Sequence, residues 1–333
     1  MLPGRTFPAS LAAALFWATF AAGADGPAAI RLGEETKSTW RFGVVVSTPE
    51  GAASGLVATL PVPHEWPEQD VTLVDEQKTG AARITYRTID GGVKQMVVTI
   101  PRLAAGQEAS GIVTMEVTKR RILEPAQVQG LAPPAKSDRE LAKYLAPSPY
   151  IESSHPRIKS LASEITMGKS AGWDEAAAIF DWVRANVKYE FAEQIKPAVA
   201  ALDDKVGDCE ELSSLAIALM RARKIPARAV WVPGHTYPEF YLVDAEGRGH
   251  WYPCQAAGAE RQFGSMIEER PILQKGDNFR VPGERQPLRY VQQRLSATSA
   301  VGSPQAKFVM ERAQPAAGGD EGRDGGAASK RAP

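Results

Sequence analysis

Val206-Gly207-Asp208-Cys209-Glu210-Glu211-Leu212, running on through Leu215, Ala216, Leu219 and Met220 to Ile225-Pro226-Ala227-Arg228, is the stretch from which the rest of the chain can be read. A cysteine stands where a Gly-Asp turn gives way to an apolar helical pattern, with Leu212, Leu215, Ala216 and Leu219 at i, i+3, i+4 and i+7. The spacing predicts a helix that begins at a thiol. Unpaired N–H groups and the positive end of the helix dipole favour a thiolate at such a position, so it suits a nucleophile. Asp208 and Glu210 flank the cysteine and read as caps of that helix.

A thiol nucleophile needs a base, and the base needs an orienting group on its other ring nitrogen. The chain has four histidines: His64, His155, His235 and His250. His64 sits alone in a Pro-rich turn, His155 opens a helix beside Pro156, and His250 precedes Trp251 at the end of a turn. Downstream of the cysteine, Arg228–Val232 reads as a strand. Gly234-His235 then opens a longer strand to Val243, and after the Asp244–Gly249 turn His250–Cys254 returns. His235, at the start of the strand that follows, is the best partner for Cys209. Upstream, the apolar positions of Ile158, Leu161, Ala162 and Ile165, and of Ala176, Ile179, Phe180, Val183 and Val187, predict two helices, the second with Asp174 as N-cap. Trp173 and Trp182 read as core more readily than as groove.

Four motifs in order carry a resemblance: Gly207-Asp208-Cys209 with its leucine-rich helix, Ile225-Pro226-Ala227-Arg228, His235-Thr236-Tyr237-Pro238-Glu239, and Trp251-Tyr252-Pro253. They resemble the transglutaminase-like superfamily, which reads as Gly-Asp-Cys, Gly-Ile-Pro-Ala-Arg, a His-x-Trp-x-Glu strand and Trp-x-x-x-Asp; the match runs from Tyr150 to Ala257. The resemblance implies an α+β, papain-like domain with a helix-borne cysteine and an antiparallel β-meander. It implies Cys209 as nucleophile, His235 as its partner, and Gln255 at the third position, where the family usually has Asp. An amide oxygen orients an imidazole without the charge that stabilises imidazolium, as Asn does in papain-like proteases. Tyr237-Pro238 also departs from the family pattern, and a proline in a strand implies a bulge or an edge.

The implied chemistry is thiolate attack on a protein or peptide amide, with the Cys209 N–H holding the oxyanion and the acyl-enzyme resolved by water or by an amine. Hydrolase and acyltransferase are both consistent with the residues. The Gln255 departure equally motivates a catalytically weak or inactive module used for protein binding or scaffolding. The chain has two cysteines, and a Cys209–Cys254 disulfide is the purely structural reading of the pair. Two cysteines without CxxC or HxxxH spacing do not make a zinc site, so neither metal nor cofactor is expected.

The remaining sequence frames this domain. Net charge is zero, with 39 basic and 39 acidic residues and no long basic run, which argues against nucleic acid as a partner. Arg5, the apolar run Ala9–Ala22 and Ala22-Gly23-Ala24 match a secretory signal peptide over 1–24, which implies an extracytoplasmic protein, periplasmic or secreted, without stable membrane insertion after cleavage. Residues 28–123 alternate in short runs with turn punctuation, including Asp90-Gly91-Gly92, and predict an antiparallel β domain of sandwich type. Residues 124–146 read as a linker, 147–292 as the transglutaminase-like domain, and the Ala-, Gly- and charge-rich 295–333 as a disordered tail.

Overall fold

The computed structural model describes residues 29–136, 139–191 and 194–313. The expected signal peptide, and the tail from 314 onward, lie outside the described residues.

Six antiparallel strands come first: β1 (Arg31–Ser47), β2 (Ala53–Pro61), β3 (Gln69–Lys78), β4 (Arg83–Ile89), β5 (Val93–Leu103) and β6 (Glu108–Leu123). They divide between two sheets that share one apolar core, in which Phe42 and Val44 of β1 and Val113 of β6 meet Leu56, Leu60, Met96 and Val98 of β2 and β5. The alternation of buried and open positions along β6 is the period-2 signature of a strand with one face on a core.

The helical part contains α1 (Arg139–Ala142), α2 (Pro156–Ile165), α3 (Trp173–Asn186), β7 (Lys188–Tyr189), α4 (Ala198–Asp204), β8 (Val206–Gly207) and α5 (Cys209–Ala222). An antiparallel sheet follows, ordered β11-β10-β9-β12, from β9 (Ala227–Val232), β10 (His235–Val243), β11 (Gly249–Pro253) and β12 (Gln274–Lys275). The helix opening at Trp173 has Gly172, not Asp174, as its N-cap. Trp173 packs edge-on against Phe240, Tyr252 and Phe263, in the core.

Helix α5 is the centre of the molecule. The sequence pattern marks a single apolar face, yet every residue from Glu211 to Arg221 is buried, because α2, α3 and α4 cover one side and β9 and β10 the other. Its polar residues are all paired internally. Ser214 accepts from Arg289, Glu211 accepts from the Lys196 and Asp208 amides, and Arg221 pairs with Asp277 at 2.7 Å with both side chains almost fully buried. Buried polar groups need such partners, since an unpaired one costs about 1–3 kcal/mol.

The chain beyond 294 departs from the expected disorder. Within 294–313 lie β13 (Arg294–Ser296), β14 (Ser299–Ala300) and β15 (Gln305–Arg312). The first two pair with β2, and β15 pairs with β1 from Trp40↔Arg312 to Ser47↔Gln305. The reason is local: Ala306, Phe308 and Met310 alternate and pack on the β1 core, a signal that an averaged Ala/Gly/charge composition hides.

The β region and the cysteine region are bolted together by buried charge. Lys275 Nζ lies 2.5 Å from Glu68 Oε1 and 2.7 Å from Glu239 Oε1, and Arg228 holds the other Glu239 oxygen at 3.0 Å. Gln69 adds a neutral clamp, its amide bonded in both directions to the main chain of Ile272.

Candidate active site

Gly207-Asp208-Cys209 works as a helix start. A Cβ on Gly207 would meet Glu211 Cβ at 2.4 Å, so the residue must be glycine for Glu211 to fold back. Glu211 then accepts from the Asp208 N–H at 2.9 Å while the Asp208 carboxylate accepts from the Glu210 N–H at 2.7 Å and from that of Glu211, a capping box. The box leaves the Cys209 N–H without an acceptor among the described residues.

His235 is placed by the turn before it. β9 and β10 join through Pro233-Gly234, with His235 opposite Val232 and Gly234 at φ 69°, the positive value a tight turn asks of glycine. Pro238 causes no register shift in β10: its carbonyl accepts from the Cys254 N–H just past the end of β11, so its missing N–H falls beyond that ladder. The expected bulge is therefore absent, and the edge condition is met locally.

The His235 ring lies 3.0 Å, Nε2 to Oε1, from Gln255. Gln255 is itself anchored, its N–H donating to Gln262 O at 2.8 Å and its carbonyl accepting from Arg184 Nη1 at 3.0 Å. With the amide oxygen as acceptor, Nε2 carries the proton and Nδ1 is left as the basic nitrogen. Cys209 and His235 are both half-buried and line one cleft of about 530 Å³. They share it without a direct hydrogen bond among the described residues; in unliganded sites such bonds commonly form only with substrate.

The electrostatics depart from the helix-dipole expectation. Burial pushes the Cys209 thiol up to about 11, and the carboxylates of Asp208 and Glu210 push the same way, against the Thr236 main-chain N–H and Arg289. Burial also lowers His235 below its ordinary value, opposed by the Gln255 hydrogen bond. Both shifts favour the uncharged forms, thiol and imidazole. Asp208 is pushed up to about 6, by burial first and then by its hydrogen bond to Glu211.

The other sequence candidates have separate employment. Asp244 is bound by Arg248 within its own turn and lies 3.5 Å from His250 Nε2. His155 caps α2, and His64 packs at a tilt against Trp66, 4.5 Å between centroids. Cys209 and Cys254 are both free, so the disulfide reading is not realised. Among the described residues no three ligating side chains converge as a metal site, and no helix is long and apolar enough to cross a membrane.

Three contributors to the cleft were not singled out by the sequence reading. Arg289 donates to Ser214 Oγ at 2.8 Å and to the Glu210 carbonyl at 3.1 Å, fixing the segment that walls the cleft. Pro61 and Met310, from the β region and the last strand, close another side.

Residues 159–256 match the transglutaminase-like superfamily, and the helices and antiparallel sheet of this part of the chain make an α+β fold. A crystal structure from Cytophaga hutchinsonii, provisionally named a cysteine protease, aligns over 86% of this chain and 94% of its own at 17% identity, with a TM-score of 0.57, a likeness of fold. A provisionally named protease from Parabacteroides distasonis aligns over 69% of this chain and 44% of its own at 15% identity, with a TM-score of 0.28. The periplasmic domain of TgpA from Pseudomonas aeruginosa aligns over 66% of this chain and 89% of its own, also at 15% identity, with a TM-score of 0.33. No curated protein matches the sequence.

Proposed function

We propose that this protein is an exported cysteine-dependent hydrolase or acyltransferase of protein or peptide amides, with Cys209 as nucleophile, His235 as general base and Gln255 as the residue that orients the base. The observation that carries the reading is the 3.0 Å His235–Gln255 bond beside a cleft that also holds Cys209. With Nε2–H given to Gln255, Nδ1 takes the thiol proton as the sulfur attacks the substrate carbonyl. Because the site favours the uncharged thiol and imidazole, proton transfer accompanies attack in this reading rather than preceding it. The Cys209 N–H, free of any acceptor among the described residues, supports the oxyanion. Imidazolium then returns the proton to the leaving amine, and water or a second amine releases the acyl group. The reaction as drawn uses no cofactor. Export rests on the Arg5 and Ala9–Ala24 pattern.

One observation favours a non-catalytic binding module instead: the raised thiol has no direct hydrogen bond to His235 among the described residues. Quenched fluorescent peptide pools, incubated with the protein and with Cys209→Ala, separate the two. Turnover lost in the variant supports the enzyme. Equal signals from both proteins refute it. A fluorescent primary amine in the same reaction reports transfer, through its incorporation into a protein substrate.

A further inference from the structure

The cleft does not end at Cys209. A second cavity of about 420 Å³ lies on the far side of one wall, bounded by Thr59 and Arg87 of the β region and by Glu284 and Arg294. Gln292 and Gln293 line both cavities, so this short wall is the ground the two share. The wall is held taut at both ends. Before it, Val291 is clamped by Gln274, whose Oε1 accepts from the Val291 N–H at 2.8 Å and whose Nε2 donates to its carbonyl at 3.4 Å. After it, Arg294 enters the ladder opposite Thr59. Between these anchors Gln292 and Gln293 are exposed, and among the described residues none of their main-chain groups has a hydrogen-bond partner.

The two cavities also differ in charge. At the cysteine end the charged lining residues among those described are Asp208 and Glu210, with no lysine or arginine among them. At the far end Arg294 is neutralised by Glu284, while Arg87 donates Nε to the uncharged Gln95 at 2.7 Å and makes no ion pair among the described residues. An exposed cation left with an amide partner is available to a carboxylate.

Resting on the thiol-enzyme reading above, we infer that the substrate is an extended peptide segment that pairs its main chain with Gln292 and Gln293, sets its reacting carbonyl at Cys209 and lays an acidic side chain against Arg87. Main-chain pairing supplies affinity independent of sequence, and the charge at the far end supplies selection. Each residue of an extended segment advances about 3.3 Å, so the acid belongs at one spacing from the reacting bond and not at its neighbours.

The test uses the full chain and iodoacetyl-capped peptides, in which the Cys209 sulfur displaces iodide and its proton passes to buffer. One set carries a single glutamate at the third to sixth residue, and a twin set carries lysine. Each rate is divided by that of plain iodoacetamide on the same protein, which removes changes in thiol reactivity. At one spacing the glutamate peptide is expected to label about five-fold faster than its lysine twin, the scale of an exposed charge contact exchanged for a repulsion. Arg87→Gln should abolish the preference and Arg87→Glu reverse it. Methylating the peptide amides that meet the wall should remove the gain over iodoacetamide. Equal normalised rates at every spacing, or a preference that survives Arg87→Glu, overturn the proposed peptide path. A Cys209 that reacts with neither reagent overturns the thiol reading itself, and the path with it.

Discussion

Replacing Lys275 by methionine removes the cation between the two regions while keeping an aliphatic side chain in its place. Lys275, Glu68 and Glu239 are at most 5% exposed, and Lys275 bonds both carboxylates, at 2.5 and 2.7 Å. Without it Glu239 keeps Arg228, but Glu68 is left, among the described residues, with the more distant Lys119. Breaking a buried ion pair from one side costs about 3–5 kcal/mol, and at roughly 2–4 °C per kcal/mol for a chain of this size the melting temperature should fall by about 10 °C. Glu68 is held below its ordinary range by Lys275 and Lys119 against the effect of burial. A carboxylate with a depressed folded value contributes stability above its unfolded pKa and loses it as pH falls through the folded value, so the deficit should be full at pH 7 and close on acidification. Urea melts followed by far-UV circular dichroism and tryptophan fluorescence measure it. Glu68→Gln in the Lys275→Met background should restore about half of the loss. A deficit under about 1 kcal/mol, or two unfolding steps of which only one moves, would refute the bolt.

Further outcomes follow from the same geometry. In Gln255→Asp the acidic limb of the pH–rate profile should move to higher pH, because a carboxylate stabilises imidazolium; in Gln255→Ala it should move lower, because the bond that favours the protonated ring is gone. Unmoved limbs in both variants would remove Gln255 from the site. Asp208→Asn keeps a capping residue but deletes a charge that pushes the thiol up, so the midpoint for iodoacetamide labelling of Cys209 should fall, while Asp208→Ala should in addition cost about 1 kcal/mol in a urea melt. Lys119 is pulled down to about 8, chiefly by burial. Its charged form is disfavoured in the fold, so Lys119→Met should be the more stable protein at pH 7, by up to about 3 kcal/mol, with the gap closing as pH rises from the folded value toward the unfolded one.

The start of α5, the β9–β11 meander and the place of His235 at the head of β10 were legible because each rests on local chemistry: a cap beside an apolar repeat, a glycine before a strand, alternation along a strand. Gln255 became legible through its distance from Trp251-Tyr252-Pro253 in a recognised motif order, not through any property of its own. Other features depend on what meets across the fold. Lys275 finds Glu68 at 207 residues' separation and Glu239 at 36, and no local pattern pairs them. The thiol's upward push comes from burial that only the packed cleft creates; the helix dipole, the part visible in sequence, is outweighed. Strand β15 was hidden for the opposite reason: Ala306, Phe308 and Met310 alternate plainly but lie in a stretch whose average composition resembles a tail.

Mass spectrometry of the protein after brief exposure to p-nitrophenyl acetate tests the central claim most directly. A hydroxylamine-labile acetyl group on Cys209, none on the fully buried Cys254, and trapping slowed by about 100-fold or more in His235→Ala is the predicted result. Acetylation spread over surface lysines with Cys209 unmodified, or trapping on Cys209 at an unchanged rate without His235, would contradict it.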